Sequence, residues 1–153
     1  EIIWGRGSGR ESWRQRAWKD KASLDAVARI EIDPGLEDIL EGTEEFSHLL
    51  VLWWADRSER RLPEGMRVHP MGRKDFPEVG IFATRSPVRP NAILATVVKL
   101  VGRDGNVLEV TGLDAIDGTP VIDIKPVTPS DCPSSNVKVA GWLQQALSEF
   151  DEI

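Results

Sequence analysis

The sequence predicts a mainly β protein, a small antiparallel β-barrel with short helices and a C-terminal helix. Three observations lead to this prediction. Short apolar or alternating runs, about six in number, are separated by turns that contain glycine or proline, as in antiparallel sheets. Strands and helices do not alternate regularly, which argues against a parallel α/β sheet. Only the last segment has the apolar spacing of an amphipathic helix.

Local pattern defines each predicted element. The six predicted strands are Val27–Ile32, Phe46–Trp54, Val79–Thr84, Ile93–Val101, Val107–Thr111 and Val121–Ile124. Phe46–Trp54 is an almost unbroken apolar run, so we expect this strand to be buried on both faces. Asp104–Gly105 is a hairpin signal, Leu36–Leu40 is typical of one helical turn, and Val137–Phe150 has helical spacing.

The chain has 153 residues, the length of one domain. We expect an Arg- and Trp-rich N-terminal segment over residues 1–25, the β-barrel over 26–136 and the C-terminal helix over 137–153. Gly5, Gly7 and Gly9 lack the spacing of a Rossmann or P-loop phosphate site. The first segment is therefore interpreted as flexible.

Composition limits the class of protein. Cys132 is the only cysteine, so we expect no internal disulfide and a reducing, cytoplasmic location. One cysteine with His48 and His69 does not form a Cys/His zinc site, and we expect no metal. No apolar run approaches the ~20 residues that cross a bilayer, so no membrane association is expected.

Charge is distributed unevenly along the chain. The net charge is −6, yet residues 1–103 carry 17 Lys and Arg against 16 acids, whereas residues 104–153 carry two against nine. The basic residues cluster at Arg6, Arg10, Arg14, Arg16, Lys19 and Lys21, and again at Arg57, Arg60, Arg61, Arg67, Arg73 and Lys74. These clusters indicate either a local RNA-binding patch or a solvated surface.

The first candidate site is the segment Gly80–Asn91, where a predicted strand leads into a loop that contains two prolines. Proline restricts the backbone, so such a loop loses little entropy when it binds a ligand. Arg85 and Arg89 have forked donors suited to a carboxylate or a phosphate. Alternatively, the loop is structural and its arginines pair with the acidic C-terminal third.

The second candidate site is the segment Leu113–Pro126. Asp114, Asp117 and Asp123 lie close in sequence, and strand alternation places Asp123 and Lys125 on one face. Carboxylates accept hydrogen bonds from ribose hydroxyls or from an ammonium group. Glycoside hydrolysis and a hard cation site are alternatives, although the spacing is not that of an EF-hand and a chain this short has little room for a saccharide cleft.

Tryptophans offer surfaces on which a base could stack. The candidates for stacking are Trp13, Trp18, Trp53 and Trp54. The alternative is packing in the core or between subunits. Packing is the favoured interpretation for Trp53, Trp54 and Trp142.

Four blocks, in this order, resemble the TsaA-like family, also called the TrmO or YaeB-like family. The blocks are Ala28–Ile32, Phe46–His48, Gly80–Pro87 with Arg89–Asn91, and Leu113–Asp114 with Asp117–Pro120 and Asp123–Pro126. The sequence departs from the family on the acceptor side. Ala92, Ile93 and Leu94 follow Asn91, where the family usually has Pro-Ile-Gly, and Val127 stands where it usually has tyrosine.

The resemblance implies a β-barrel methyltransferase that uses S-adenosylmethionine and forms a homodimer. It also implies tRNA as the partner, with methylation at N6 of threonylcarbamoyladenosine beside the anticodon. Implied cofactor-binding residues are Arg85, Arg89, Pro90, Asn91, Leu113, Asp114, Asp117, Gly118 and Thr119. Candidates for a general base are His48, Asp114 and Asp117. The alternatives are a small-molecule methyltransferase and a non-catalytic S-adenosylmethionine-binding protein.

Overall fold

The computed structural model describes residues 2–4, 26–58, 62–131, 133 and 135–151. The chain divides into two compact units. The first unit consists of residues 1–56 and 93–128, and the second of residues 57–92 and 129–153. A six-stranded sheet forms the first unit, whereas the second contains a two-stranded pair and the C-terminal helix.

All strand pairs in both units are antiparallel. The strands are β1 (Ile2–Trp4), β2 (Ala28–Glu31), β3 (His48–Trp54), β4 (Arg67–Val68), β5 (Val79–Gly80), β6 (Ile93–Asp104), β7 (Val107–Thr111) and β8 (Val121–Pro126). The strand order of the first unit is β1-β2-β7-β6-β3-β8, and β4 pairs with β5 in the second unit. The prediction of a mainly β, antiparallel fold is confirmed.

The closed barrel is the wrong part of the prediction. The sheet is open, with β1 and β8 at its two edges, and no pairing joins them in the described part of the chain. Alternation of apolar and polar residues is the same in an open curved sheet as in a barrel, so the sequence does not distinguish the two. β8 has features of a protected edge strand, because Asp123 and Lys125 form an ion pair of 2.6 Å and Pro126 has no backbone N–H.

β3 and β6 are neighbouring strands in the interior of the sheet and supply much of its core. On β3, Leu49, Val51 and Trp53 are buried, whereas Leu50 and Leu52 on the opposite face are only half-buried. The expectation that this strand is buried on both faces is therefore wrong for the outer face, because an antiparallel sheet needs a covered core on one side only. The core of the unit consists of Ala28, Ile30, Leu40, Leu49, Val51, Trp53, Val98, Leu108, Val110, Leu113 and Ala115.

The predicted hairpin connects β6 to β7 through the two-residue loop Gly105–Asn106. Gly105 has a φ of +56°, a conformation that glycine adopts without steric cost. Asn106 also continues the ladder toward β2, because its Nδ2 donates to the Ile32 carbonyl at 2.6 Å and its own carbonyl accepts from the Ile32 N–H at 3.0 Å. β6 extends to Asp104, beyond the predicted end, across a register shift between Leu100 and Gly102.

The start of the chain contributes a strand that the sequence pattern did not predict. Ile2–Trp4 pairs with β2, with Ile2 opposite Ile30. β-Branched and aromatic residues favour extended structure, and β2 otherwise presents an unpaired edge. Residues 5–25, which include Trp13, Trp18 and the three glycines, lie outside the described residues.

In the second unit, the predicted strand Val79–Thr84 ends at Gly80. Residues Ile81–Ala83 form a 3₁₀ turn, which Thr84 closes by donating to the Ile81 carbonyl from its backbone N–H at 3.1 Å and its Oγ1 at 2.8 Å. The partner strand β4 has only two residues. A longer strand would leave its backbone groups without a partner.

Arg73 holds the helix of this unit, α1 (Gly141–Asp151), to the segment between β4 and β5. Its guanidinium carbon lies 4.0 Å from the centre of the buried Phe76 ring and its nitrogens bond the carboxylates of Asp75 and Glu149. Phe76 also packs against Trp142 of α1, with ring centroids 6.0 Å apart. Hydrogen bonds from Arg73 lower the pKa of Asp75 and of Glu149 below their ordinary values.

α1 begins four residues later than the predicted Val137–Phe150. Asn136 has a φ of +63°, and the β-branched Val137 and Val139 disfavour a helical start. Ala146 is fully buried on the predicted apolar face, whereas Leu147 is about half exposed. None of the described helices has the length and apolar character needed to cross a membrane.

Truncation on the two faces of β3 tests which face is covered. We expect Leu49→Ala to lower the free energy of unfolding by about 2–5 kcal/mol, because the change leaves a cavity in the core. We expect Leu50→Ala to lower the free energy of unfolding of the monomer far less, because in the single chain that side chain already contacts solvent. Urea unfolding measures both losses in free energy, provided that the two variants and the wild type have equal m-values. Equal losses at the two positions would show that the strand is buried on both faces after all.

Acid titration tests the Arg73 cluster. The folded pKa values of Asp75 and Glu149 lie below the ordinary values of 3.8 and 4.5, so the unfolded state binds protons first as the pH falls. Their stabilisation is present above those ordinary values and is lost at lower pH. We expect Arg73→Gln to lower stability at pH 7 and to flatten the pH dependence of unfolding below about pH 4.5. Lys74→Gln removes a positive charge from the neighbouring residue. An equal flattening of the pH dependence in that variant would contradict its assignment to the ion pairs of Arg73.

Candidate functional site

The aspartate loop, residues 112–120, is fastened to the core of the first unit. Leu113 and Ala115 are 1% and 6% exposed and belong to its hydrophobic core, whereas Asp114 between them is exposed. Because the buried residues flank it on both sides, Asp114 is held at the surface on a rigid support. This loop therefore has the character of a preformed binding element.

A tight turn shapes the second half of the aspartate loop. The backbone N–H and Oγ1 of Thr119 donate to the Ile116 carbonyl at 3.2 and 2.6 Å. Gly118, the third residue of this turn, has a φ of +75°, which favours glycine. Thr119 is fully buried and Asp117 is exposed at the tip. Of the predicted cofactor-binding residues here, Leu113, Gly118 and Thr119 thus shape the loop, and the two aspartates present polar groups to solvent.

A chain of hydrogen bonds links Asp114 to the core. Trp53 Nε1 donates to Thr96 Oγ1 at 3.1 Å, and Thr96 Oγ1 donates to Asp114 Oδ1 at 2.5 Å. The pattern of the sequence did not identify Thr96 as a functional residue. The available signal was its position, a polar residue at a core-facing place in the apolar run of β6.

His48 lies away from the aspartate loop. It begins β3 opposite Lys99, whereas Trp53 lies near the other end of the same strand, roughly 17 Å along it at 3.3–3.4 Å per residue. Its side chain is exposed, and its Nδ1 lies 2.9 Å from Ser47 Oγ. The structure brings Asp114 and Asp117 together on one loop and does not bring His48 to them.

The arginine loop, residues 84–91, belongs to the second unit. Hydroxyl groups stabilise its turns: Thr84 Oγ1 accepts from the Ser86 N–H at 3.2 Å, and Ser86 Oγ accepts from the Val88 N–H at 3.3 Å. Pro87 is buried, whereas Pro90 and Asn91 are exposed. The loop thus has local internal support as well as its two prolines.

Arg89 braces this loop from within. Its Nη1 donates to the carbonyls of Thr84 and Ser86 at 3.3 and 3.5 Å, and its guanidinium carbon lies 5.6 Å from the centre of the Phe82 ring. Arg85 is exposed. Phe82 is 75% exposed, a large aromatic surface beside a cation that the sequence analysis did not single out. Such a ring offers a stacking surface for a planar base.

The described basic residues of the second cluster are partly neutralised. Arg67 pairs with the Glu78 carboxylate at 3.4 Å and donates to its carbonyl at 2.8 Å. Arg73 bonds Asp75 and Glu149. For these two arginines the contacts favour a structural role over an RNA-binding patch. Arg60 and Arg61, like the whole first cluster, lie outside the described residues.

Packing is confirmed for two tryptophans. Trp53 is buried beside Thr96, and Trp142 contacts Phe76. Both are less exposed than Phe82. Trp54, on the outer face of β3, is nearly half exposed.

Comparison with known proteins identifies the family. Residues 15–132 match the tRNA-methyltransferase O N-terminal domain. This chain belongs to the tRNA-methyltransferase O N-terminal domain family. The family resemblance of the four sequence blocks is thereby confirmed, and the family is one of methyltransferases.

Individual relatives and structures agree with the family. A "Probable S-adenosyl-L-methionine-binding protein" of Archaeoglobus fulgidus is 50% identical over 120 residues, which are 78% of this chain and 31% of that protein. A second A. fulgidus protein, named "S-adenosyl-L-methionine-binding protein", is 44% identical over 109 residues, 71% of this chain and 75% of that protein. The crystal structure of TrmO from Pseudomonas aeruginosa matches with a TM-score of 0.60 and 31% identity.

The match to the TrmO structure covers 78% of this chain and 49% of that one. The chain therefore spans about half of the solved TrmO protein and a third of the first A. fulgidus relative. Similarity extends over most of this chain but over only part of those proteins.

Proposed function

We propose that this chain binds S-adenosylmethionine and methylates N6 of threonylcarbamoyladenosine in tRNA. The observation that carries the proposal is Asp114, an exposed carboxylate fixed by the core on a loop that the family resemblance assigns to the cofactor. The names of the two A. fulgidus relatives and membership of a tRNA-methyltransferase family support it. A tRNA substrate implies a cytoplasmic location.

Each loop, taken by itself, carries polar groups that suit part of the chemistry of this cofactor. S-Adenosylmethionine carries ribose hydroxyls and an ammonium group, which are hydrogen-bond donors, and a carboxylate, which is an acceptor. Asp114 and Asp117 of the aspartate loop are acceptors for the first two. In the second unit, Arg85 of the arginine loop carries a forked donor of the kind that binds a carboxylate. The cofactor supplies an activated methyl group on a sulfonium.

The protein's contribution to the proposed reaction is mainly positioning. Methyl transfer from a sulfonium is an in-line displacement, so the protein must hold the acceptor nitrogen in line. The threonylcarbamoyl substituent acidifies N6, and a carboxylate within hydrogen-bond reach assists by accepting its proton. Among the three base candidates, Asp114 and Asp117 lie on the proposed cofactor loop, whereas His48 lies at the far end of β3.

Binding and transfer measurements test the proposal. We expect Asp114→Asn to weaken binding of S-adenosylmethionine by about 10- to 100-fold, because a hydrogen bond to a charged group contributes about 1.5–3 kcal/mol. We expect a loss of similar size for Arg85→Ala. Calorimetry with the full chain measures both, and labelled-methyl transfer to tRNA from a strain that lacks the enzyme measures turnover.

Matched controls use charges outside the two loops. Asp38→Asn removes an exposed carboxylate from the first unit, and Lys74→Ala removes an exposed cation from the second. Neither should change the affinity. Equal weakening by the control and the loop variants would refute the assignment of the loops.

Two observations favour alternatives on the acceptor side. The described arginines Arg67 and Arg73 are neutralised by neighbouring acids, which favours an enzyme that methylates a small molecule. The names of the two A. fulgidus relatives refer to binding rather than to transfer, which favours a non-catalytic binding protein. Cofactor binding with transfer to a small acceptor but not to tRNA would support the first alternative, and binding without any transfer would support the second.

We also propose that the chain forms a homodimer through the outer face of β3 and β6. Trp54 lies opposite Ile93 and Leu50 opposite Val97 on this face, and Trp54, Ile93 and Val97 are each nearly half exposed. A contiguous apolar area of this kind marks an interaction surface. The same face carries the ion pair of Asp123 and Lys125 on β8, so its rim has both charge signs and can meet a second copy without repulsion between like charges.

A charge in the centre of this face tests the dimer. We expect Val97→Asp to convert a dimer into a monomer in sedimentation velocity, because an unpaired carboxylate in an apolar interface is costly. Leu36→Asp places the same charge on an exposed apolar residue of a 3₁₀ turn and should leave the dimer intact. A wild-type chain that sediments as a monomer at micromolar concentration would overturn the proposal.

A further inference from the structure

We infer that Thr96 and Trp53 are positioning residues for Asp114, and that their hydrogen bonds preset its carboxylate for a ligand's hydroxyl or ammonium group. The inference rests on the proposed function for the identity of the ligand. The chain of bonds itself rests only on contacts within the first unit, from β3 through β6 to the aspartate loop.

Thr96 is a polar residue in an apolar row. Leu94, Thr96 and Val98 share the core-facing side of β6, as their pairing with Trp53, Val51 and Leu49 shows. A hydroxyl at such a place destabilises the fold unless it is hydrogen-bonded. The hydroxyl of Thr96 acts here as both acceptor and donor, since it accepts a hydrogen bond from Trp53 and donates one to Asp114. A valine would fill the same volume, so shape alone does not explain threonine.

The direction of the bonds is fixed by chemistry. An indole N–H only donates, so the Thr96 oxygen must accept from Trp53. Its single hydroxyl proton is then donated to Asp114 Oδ1. Trp53 is 4% exposed and has no room to turn its ring away. The donors therefore point from the core toward the loop.

This arrangement orients the carboxylate before a ligand arrives. One oxygen of Asp114 is held by Thr96, and the exposed carboxylate has a second oxygen that can accept a hydrogen bond. Binding then costs less rotamer entropy than it would for a freely rotating side chain. Thr96 and Trp53 act through Asp114 and contact no reacting atom in this proposal.

Affinity measurements on the full chain give the first test. By calorimetry with S-adenosylmethionine, we expect Thr96→Val to weaken binding by about 10-fold and Trp53→Phe by a smaller factor, because the second change removes only the donor behind the hydroxyl. Thr96→Ser keeps the hydroxyl and should restore binding to within about twofold of wild type. Thr111→Val, the same change in the neighbouring strand β7, should leave the affinity unchanged.

Double variants separate positioning from a general structural effect. If the residues act through Asp114, Thr96→Val should have no further effect in an Asp114→Ala background, which removes the acceptor of the Thr96 hydroxyl, and Trp53→Phe should have none in a Thr96→Val background. Additive losses in both cycles would overturn the inference. So would a Thr96→Ser variant that binds as weakly as Thr96→Val.

A spectroscopic signature tests the bonds without any ligand. In NMR spectra, the indole N–H signal that is lost in Trp53→Phe should shift in Thr96→Val and stay near its wild-type position in Thr96→Ser. An unshifted signal in Thr96→Val would refute the chain of bonds. If the wild type binds no S-adenosylmethionine, the proposed function fails while this readout still decides the hydrogen bonds. If it binds and Thr96→Val binds equally well, only the positioning inference fails.

Discussion

Burial of Leu113 and Ala115 in the core of the first unit is the constraint on which the aspartate loop depends. A nine-residue segment without regular structure would ordinarily be mobile. Here two apolar side chains are withdrawn from water on either side of Asp114, and the fully buried Thr119 closes the segment from the other end. The energy that orders the loop is therefore hydrophobic, and the exposed carboxylates do not have to supply it.

The arginine loop achieves order by another route. Its turns are closed by hydroxyl-to-backbone hydrogen bonds from Thr84 and Ser86, and Arg89 ties two of its carbonyls together. Such local polar contacts contribute little stability each, about 0.5–1.5 kcal/mol. In the proposed function, the core therefore holds Asp114 rigidly, whereas Arg85 lies on a loop whose weaker contacts allow it to adjust to its ligand.

The sequence predicted what depends on local pattern and missed what depends on distant contacts. Phe46–Trp54 and Asp104–Gly105 were recognised as strand and hairpin because their signals are contained within a few residues. The open sheet was not predicted. Closure depends on whether the two edge strands, β1 and β8, pair with each other, and these strands are far apart in the sequence. The bonds of Thr96 join residues 43 and 18 positions away, and no spacing rule connects them.

Charge pairing, rather than the number of basic residues, decides what the second unit offers to a nucleic acid. A phosphate is attracted only by a cation whose charge is not already balanced nearby. Arg73 is balanced by two carboxylates and Arg67 by one. If the acceptor is tRNA, recognition in the described part of this unit must then depend less on Arg67 and Arg73 and more on stacking against the exposed Phe82 ring. Stacking requires access to the flat face of a base. It would therefore select an exposed, unpaired nucleotide over a duplex.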